Sequence, residues 1–96
     1  MGGIAYEWDS AKRESNIAKH GIDFIHAQFV FDDPRHYTEL ANTTPYGEVR
    51  WKAVGAVNDQ VICVIFTDRD GKRRIISARS ARRDERARYG AGAQTA

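Results

Sequence analysis

The chain has 96 residues, of which 42% are hydrophobic and 29% charged, with two prolines and a formal charge of +2. That is enough apolar residue for one core and too much for disorder, so a single domain over residues 1–96 is expected. One cysteine excludes an internal disulfide, and the longest apolar run, 61–66, is too short to cross a membrane. No cationic leader precedes a hydrophobic stretch, and a cytoplasmic location is expected.

The small net charge hides an asymmetry. Residues 1–67 carry six basic and nine acidic groups, whereas residues 68–96 carry nine basic and four acidic ones. The electrostatic face is therefore local, concentrated between Arg69 and Arg88.

Asp9 or Ser10 suits the start of a helix that runs to His20, with Gly21 as its left-handed stop. Asp23 caps a second helix, Phe24 to Phe31, ended by Asp32-Asp33-Pro34. This helix is apolar nearly all round and is expected to be heavily buried. His36 to Leu40 reads as a weak strand, followed by the turn-like A-N-T-T-P-Y-G. From Glu48 to Val57, period two puts Val49, Trp51, Ala53 and Val57 on one face and Arg50, Lys52 and Val54 on the other.

Asn58-Asp59 turns the chain into Gln60–Thr67, whose V-I-C-V-I-F core is apolar on both faces, as in a covered central strand. Cys63 within it reads as a small buried hydrophobe. R-D-G-K makes a second hairpin turn into Arg73–Arg79. Strict alternation there places Arg73, Ile75, Ser77 and Arg79 on one face and Arg74 with Ile76 on the other. A last helix spans Ala81 to Tyr89, with fraying expected at 1–5 and 91–96. The class is α+β: two N-terminal helices, a four-stranded antiparallel sheet and a C-terminal helix.

Arg79 stands where the last strand meets the last helix, a place where an arginine beside free helix N–H groups completes an anion clamp. Arg82 and Arg86 lie one turn apart and share a groove wall, with Arg83 a quarter-turn away. Arg50 and Lys52 offer a floor for the same groove, or simply the wet side of a half-buried strand. His20, His26 and His36 have no metal-site spacing, and no cofactor motif occurs. His20 suits a helix C-terminus; His26 and His36 read as surface residues. Glu85 fits helix electrostatics or an ion pair with Arg82. Trp8 and Trp51 read as core anchors, and Tyr89 as a ring on the sheet with its hydroxyl left to a partner.

Y-E-W-D-S-A-K-R-E-S-N-I-A-K-H-G-I-D-F, then V-F-D-D-P, G-E-V-R-W-K-A-V-G, R-I-I-S-A-R and E-R-A-R-Y, resemble the BrnT family from Tyr6 to Tyr89. The resemblance implies a RelE-like fold and the toxin half of a type II toxin–antitoxin system. It implies a metal-independent endoribonuclease that cleaves RNA and arrests translation, with no cofactor. The implied partner is a BrnA-like antitoxin with a DNA-binding dimer domain, so that operator DNA is reached only through the complex.

Residue by residue, the resemblance marks Trp8, Asp9, Lys12, Asn16, Lys19, His20, Gly21, Arg50, Arg79, Glu85 and Tyr89. His26 and Gln28 depart from the family pattern, and Arg82 stands at the position of a frequent capping Thr, which hands the cap to Ser80. On this reading Arg79 and Arg50 grip the scissile phosphate, Lys12 adds positive charge and His20 moves a proton, as a residue type that titrates near neutrality. Lys52, Arg82, Arg83 and Arg86 bind flanking phosphates, while Trp8, Glu85 and Tyr89 support the site. The competing expectation is a non-catalytic basic module for an acidic partner or nucleic acid. A lone DNA-binding regulator is weaker, because no helix-turn-helix pattern is present.

Overall fold

The computed structural model describes residues 3–95. The elements run β1 (Ala5–Glu7), α1 (Ser10–His20), α2 (Phe24–Ala27) with a 3-10 extension (Gln28–Asp32), β2 (Tyr37–Thr43), β3 (Val49–Val57), β4 (Gln60–Arg69), β5 (Lys72–Ser80) and α3 (Arg83–Thr95). The α+β class holds, but the sheet has five strands in the order β1-β5-β4-β3-β2. The added strand, β1, pairs parallel with β5, so the sheet is mixed and not purely antiparallel. Three residues without alternation carry no strand signal of their own. Part of the fraying expected for 1–5 and 91–96 lies outside the described residues; Ala5 belongs to β1, and α3 continues past Tyr89.

The local punctuation acts as the residue types dictate. Asp9 accepts the Lys12 N–H at the start of α1, and Gly21 closes it at φ 71°. Both hairpins turn through residues of positive φ, Asn58 and Asp59 in one, Asp70 and Gly71 in the other. The second helix is only one α-turn before it tightens into 3-10 geometry. Its Phe24, Ala27 and Val30 are buried, but Ile25 and Phe29 are exposed, so it is not covered all round as its composition suggested.

β4 is the central strand, and its two faces meet two different layers. Ile62, Val64 and Phe66 pack with Ala53, Ile75, Ala78, Ile22, Phe24, Ala27 and Val30. Cys63 packs on the opposite side with Val54, Ala81 and Tyr89. Trp8 stands edge-on to Phe24 at the margin of the first layer, as an anchor should. Trp51 does not: it is exposed beside Tyr46, Val49 and Asp68.

Register matters most in β5. Ser77 pairs with Ile65, but Ile75 pairs with Phe66, so the strand carries a bulge between them. The extra residue breaks period two: Ile75 and Ala78 share the first layer, while Arg79 pairs with Cys63 and faces α3. Arg73 therefore does not share a face with Arg79. Its guanidinium lies 4.6 Å from the ring centroids of Phe31 and Phe66.

Two polar side chains complete strands whose neighbours stop short. β1 ends opposite Arg74, and beyond it the buried Asn16 amide of α1 takes over. It donates to Ala78 O (2.9 Å) and accepts from Ala78 N–H (3.1 Å), as a strand neighbour would, and also donates to Ile22 O (2.8 Å). Past the start of β2, the Asp33 carboxylate accepts the Ala56 N–H at 2.8 Å. The same carboxylate receives the Tyr89 hydroxyl at 2.6 Å, so that hydroxyl is used within the fold and is not left to a partner. Asp33 thus joins the 33–36 turn, β3 and α3, beyond its expected part as a helix stop. His36 is half-buried in this corner, with Nδ1 2.7 Å from Asp33 O, and is not the surface residue its sequence context suggested.

Candidate functional site: a buried carboxylate gathering cations

The chain leaves β5 at Ser80, and Ala81 N–H is held by Val61 O at 3.0 Å before α3 begins. Arg82 then precedes the first helical residue, and Glu85 comes three positions later, the spacing of a capping box. Glu85 Oε1 accepts the Arg82 N–H at 2.8 Å. Ser80, the expected cap, instead accepts from Gln60 Nε2 at 3.0 Å.

The capping bond turns the Glu85 carboxylate under α3 and onto the sheet, where the residue is 2% exposed. There Arg79 grips it with two N–H groups, Nη1 to Oε1 at 2.8 Å and Nη2 to Oε2 at 3.0 Å. Lys52 Nζ reaches Oε2 at 2.9 Å. The ion pairs are thus with Arg79 and Lys52, and Arg82 contributes its backbone only. Four donors satisfy the carboxylate, as burial of a charge requires. Arg79 foremost, with the Arg82 N–H and Lys52, holds its pKa well below the usual carboxylate range against the opposing effect of burial. Hydrogen bonds to Glu85 and Glu39 keep Lys52 protonated well past the usual lysine range.

The network continues outward. Lys52 also contacts Glu39 Oε2 at 3.0 Å, and Arg88 binds the other oxygen of Glu39. Three cations from β3, β5 and α3 thus surround two carboxylates, leaving the chain Arg79–Glu85–Lys52–Glu39–Arg88 one positive charge in excess. Cys63 pairs with Arg79 across β4 and β5, and burial pushes its thiol up to about 11, away from the thiolate form.

Of the residues singled out in the sequence, Arg79, Lys52 and Glu85 come together. Arg50 shares their sheet face but turns its Nε to Glu48 at 3.1 Å, toward the far hairpin. Lys12 and His20 are exposed on α1, which runs along β5; among the described residues neither bonds to the Glu85 cluster. Arg82, just before α3, and Arg83 and Arg86 on it are exposed, and Arg86 donates to Ala81 O. Trp8 belongs to the opposite layer, and Tyr89 supports α3 through Asp33.

The sequence reading missed Arg35, Tyr37, Glu39 and Arg88. Arg88 lies 4.0 Å over the Tyr37 ring, and Tyr37 Oη donates to Glu85 O at 3.4 Å. The Glu39–Arg88 pairing spans 49 residues, so no local pattern announces it. Glu85 was singled out, but the inward turn of its carboxylate was not; the signal for that is its three-residue spacing from Arg82.

Comparison with known proteins bears on this geometry. A family described as the ribonuclease toxin BrnT of type II toxin–antitoxin systems matches residues 8–85, and the chain belongs to that family. A search of curated proteins gave no match. Family membership implies an RNA substrate and an antitoxin partner.

Proposed function

We propose that this BrnT-family chain cleaves single-stranded RNA without a metal, by attack of a 2′-hydroxyl on its own phosphate, and that the groove beneath α3 holds the reacting phosphate. The observation that carries the reading is Arg79. Of its five N–H donors, two go to Glu85 and one to Ser80 O at 3.2 Å, leaving Nε–H and one Nη2–H without a partner among the described residues. Glu85 fixes the plane of the guanidinium in advance, so the remaining donors meet a phosphate without reorganising.

In the reaction the 2′-oxygen loses its proton and bonds to phosphorus, the P–O5′ bond breaks, and the 5′-oxygen takes up a proton. The products are a 2′,3′-cyclic phosphate and a 5′-hydroxyl. Negative charge grows on the phosphoryl oxygens between Arg79 and Lys52, where each well-placed donor contributes about 3–4 kcal/mol. Glu85 is no acid or base in this scheme, because four donors occupy its buried oxygens and hold it ionised. It orients the two cations. Arg50 acts from further along the same sheet face as a phosphate contact; Lys12 and His20 lie on α1, over the opposite face, so solvent water takes the 2′-proton and supplies one to the 5′-oxygen. The resulting RNA cleavage arrests translation in the cytoplasm. A RelE-like fold and a BrnA-like antitoxin that carries the DNA-binding function belong to this same proposal.

The test is cleavage of a labelled single-stranded RNA by the purified chain freed of antitoxin, with and without ribosomes and in the presence of EDTA. Arg79→Ala is expected to lower the rate about 100- to 1,000-fold, with unchanged circular dichroism. A 2′-deoxy substitution at the scissile nucleotide is expected to stop cleavage. Intact RNA under every condition, or full activity of Arg79→Ala, would refute the proposal.

One observation favours the non-catalytic module instead: the most directional edge of Arg79 is already filled by Glu85. On that reading the cluster is a fold-closing ion pair and the exposed arginines of α3 are the docking surface. RNA binding without cleavage, insensitive to Arg79→Ala, is its signature.

A further inference from the structure

Beside the charged chain, Arg35, Tyr37, Arg88, Tyr89, Ala91 and Gly92 surround an open cleft of ≈ 350 Å³. We infer that this cleft is a subsite for one nucleotide of single-stranded RNA, next to the phosphate held at Arg79 and Lys52. The inference rests on the nuclease reading and names a second point at which the strand is gripped.

Its lining includes two arginine–tyrosine cation–π pairs. The Arg88 guanidinium lies 4.0 Å over the Tyr37 ring centroid, and the Arg35 guanidinium 5.7 Å over that of Tyr89. A guanidinium pinned to a ring keeps one flat face outward, and a nucleobase stacks on such a face whatever its identity. Charge agrees with this. No carboxylate lies within ion-pair distance of Arg35 among the described residues, and Arg88 shares its partner Glu39 with Lys52. The volume falls within the range of about 300–1,000 Å³ common to small-ligand clefts. An acidic peptide would use the cationic edges alone and leave the planar faces idle; a nucleotide uses both.

Position ties the cleft to the proposed reaction site. Arg88 follows Glu85 by three residues, about 4.5 Å of helical rise. Tyr37 spans the two, with its hydroxyl on Glu85 O and its ring under Arg88. A strand whose phosphate rests at Arg79 and Lys52 therefore passes the cleft with its neighbouring nucleotide. Contacts at a neighbouring nucleotide act on binding and leave the chemical step alone.

The experiment pairs fluorescence anisotropy with single-turnover cleavage, using a labelled single-stranded RNA oligonucleotide and the full chain. Arg35→Ala and Arg88→Ala are each expected to raise the half-saturating protein concentration five- to tenfold; for Arg35→Ala, which lies outside the charged chain, the maximal rate is expected within twofold of the parent. Arg88→Lys, which keeps charge but loses the plane, is expected to recover less than half of the lost affinity. Lys72→Ala, which removes an exposed cation at the start of β5, controls for loss of charge. If the parent cleaves and both arginine variants behave as Lys72→Ala does, the subsite is refuted while the nuclease reading stands. If the parent binds RNA without cleaving it, the nuclease reading fails, and the same variants judge the subsite by anisotropy alone. A parent that binds no RNA refutes both.

Discussion

The two faces of the sheet are closed by different chemistry. On one, α1, α2 and the 3-10 helix cover the sheet with an apolar layer in which Phe24, Ala27, Val30, Ala53, Val64 and Ala78 are fully buried. On the other, α3 covers a smaller layer, and the space beside it holds Arg79, Lys52 and a carboxylate that is 2% exposed. Replacing a buried ion cluster by hydrocarbon is often neutral or stabilising. A face that retains one is organised for something other than maximal stability, and the α3 face is therefore where function is sought.

The largest expected effect breaks the apolar face. Phe24→Ala should cost about 3–5 kcal/mol by loss of burial and creation of a cavity. Denaturant unfolding measures this, while RNA cleavage per folded molecule should stay near the parent's. A parallel loss of cleavage by folded protein would mean that the two faces are not separable.

Glu85→Gln acts on the other face. Gln still accepts the Arg82 N–H, but it leaves Arg79 without its counter-charge and Lys52 with Glu39 alone, at about 2 kcal/mol. Cleavage should fall at least tenfold. The pH dependence of stability sharpens this. The Glu85 pKa is depressed in the folded state, so its contribution is complete above the ordinary carboxylate range and is lost as pH falls toward the folded value. Below about pH 4.5 the melting temperature of the parent should drop more steeply than that of Glu85→Gln. Equal slopes would show that Glu85 is not the group responsible. The smallest effect is that of Tyr89→Phe, which removes only the hydroxyl bond to Asp33. A loss of about 1 kcal/mol is expected, with cleavage little changed.

The sequence made most elements legible because their signals are local: Asp9 and Gly21 at the ends of α1, positive-φ residues in both hairpins, two-sided apolarity in β4. What escaped depends on partners far along the chain. β1 exists only because residues 5–7 lie beside β5. The face occupied by Arg79 follows from a bulge against Ile65 and Phe66, and alternation read along one strand cannot reveal that. Arg79, Lys52 and Glu85 were each legible as charged residues in suggestive places. Their convergence was not, because the Lys52–Glu85 contact spans 33 residues.

The Asn16 amide has a consequence for how the protein meets other chains. An unpaired strand is a template on which foreign strands add, and proteins commonly blunt such edges with charge, brevity or a covering element. At Ala78 the template is already taken, since both backbone groups are held by one side chain that arrives on a helix. Asn16→Asp would keep the acceptor and remove the donor at once. With a buried carboxylate set against the Ala78 and Ile22 carbonyls, α1 would loosen from β5 and leave a newly readable edge, open to neighbours that the parent turns away.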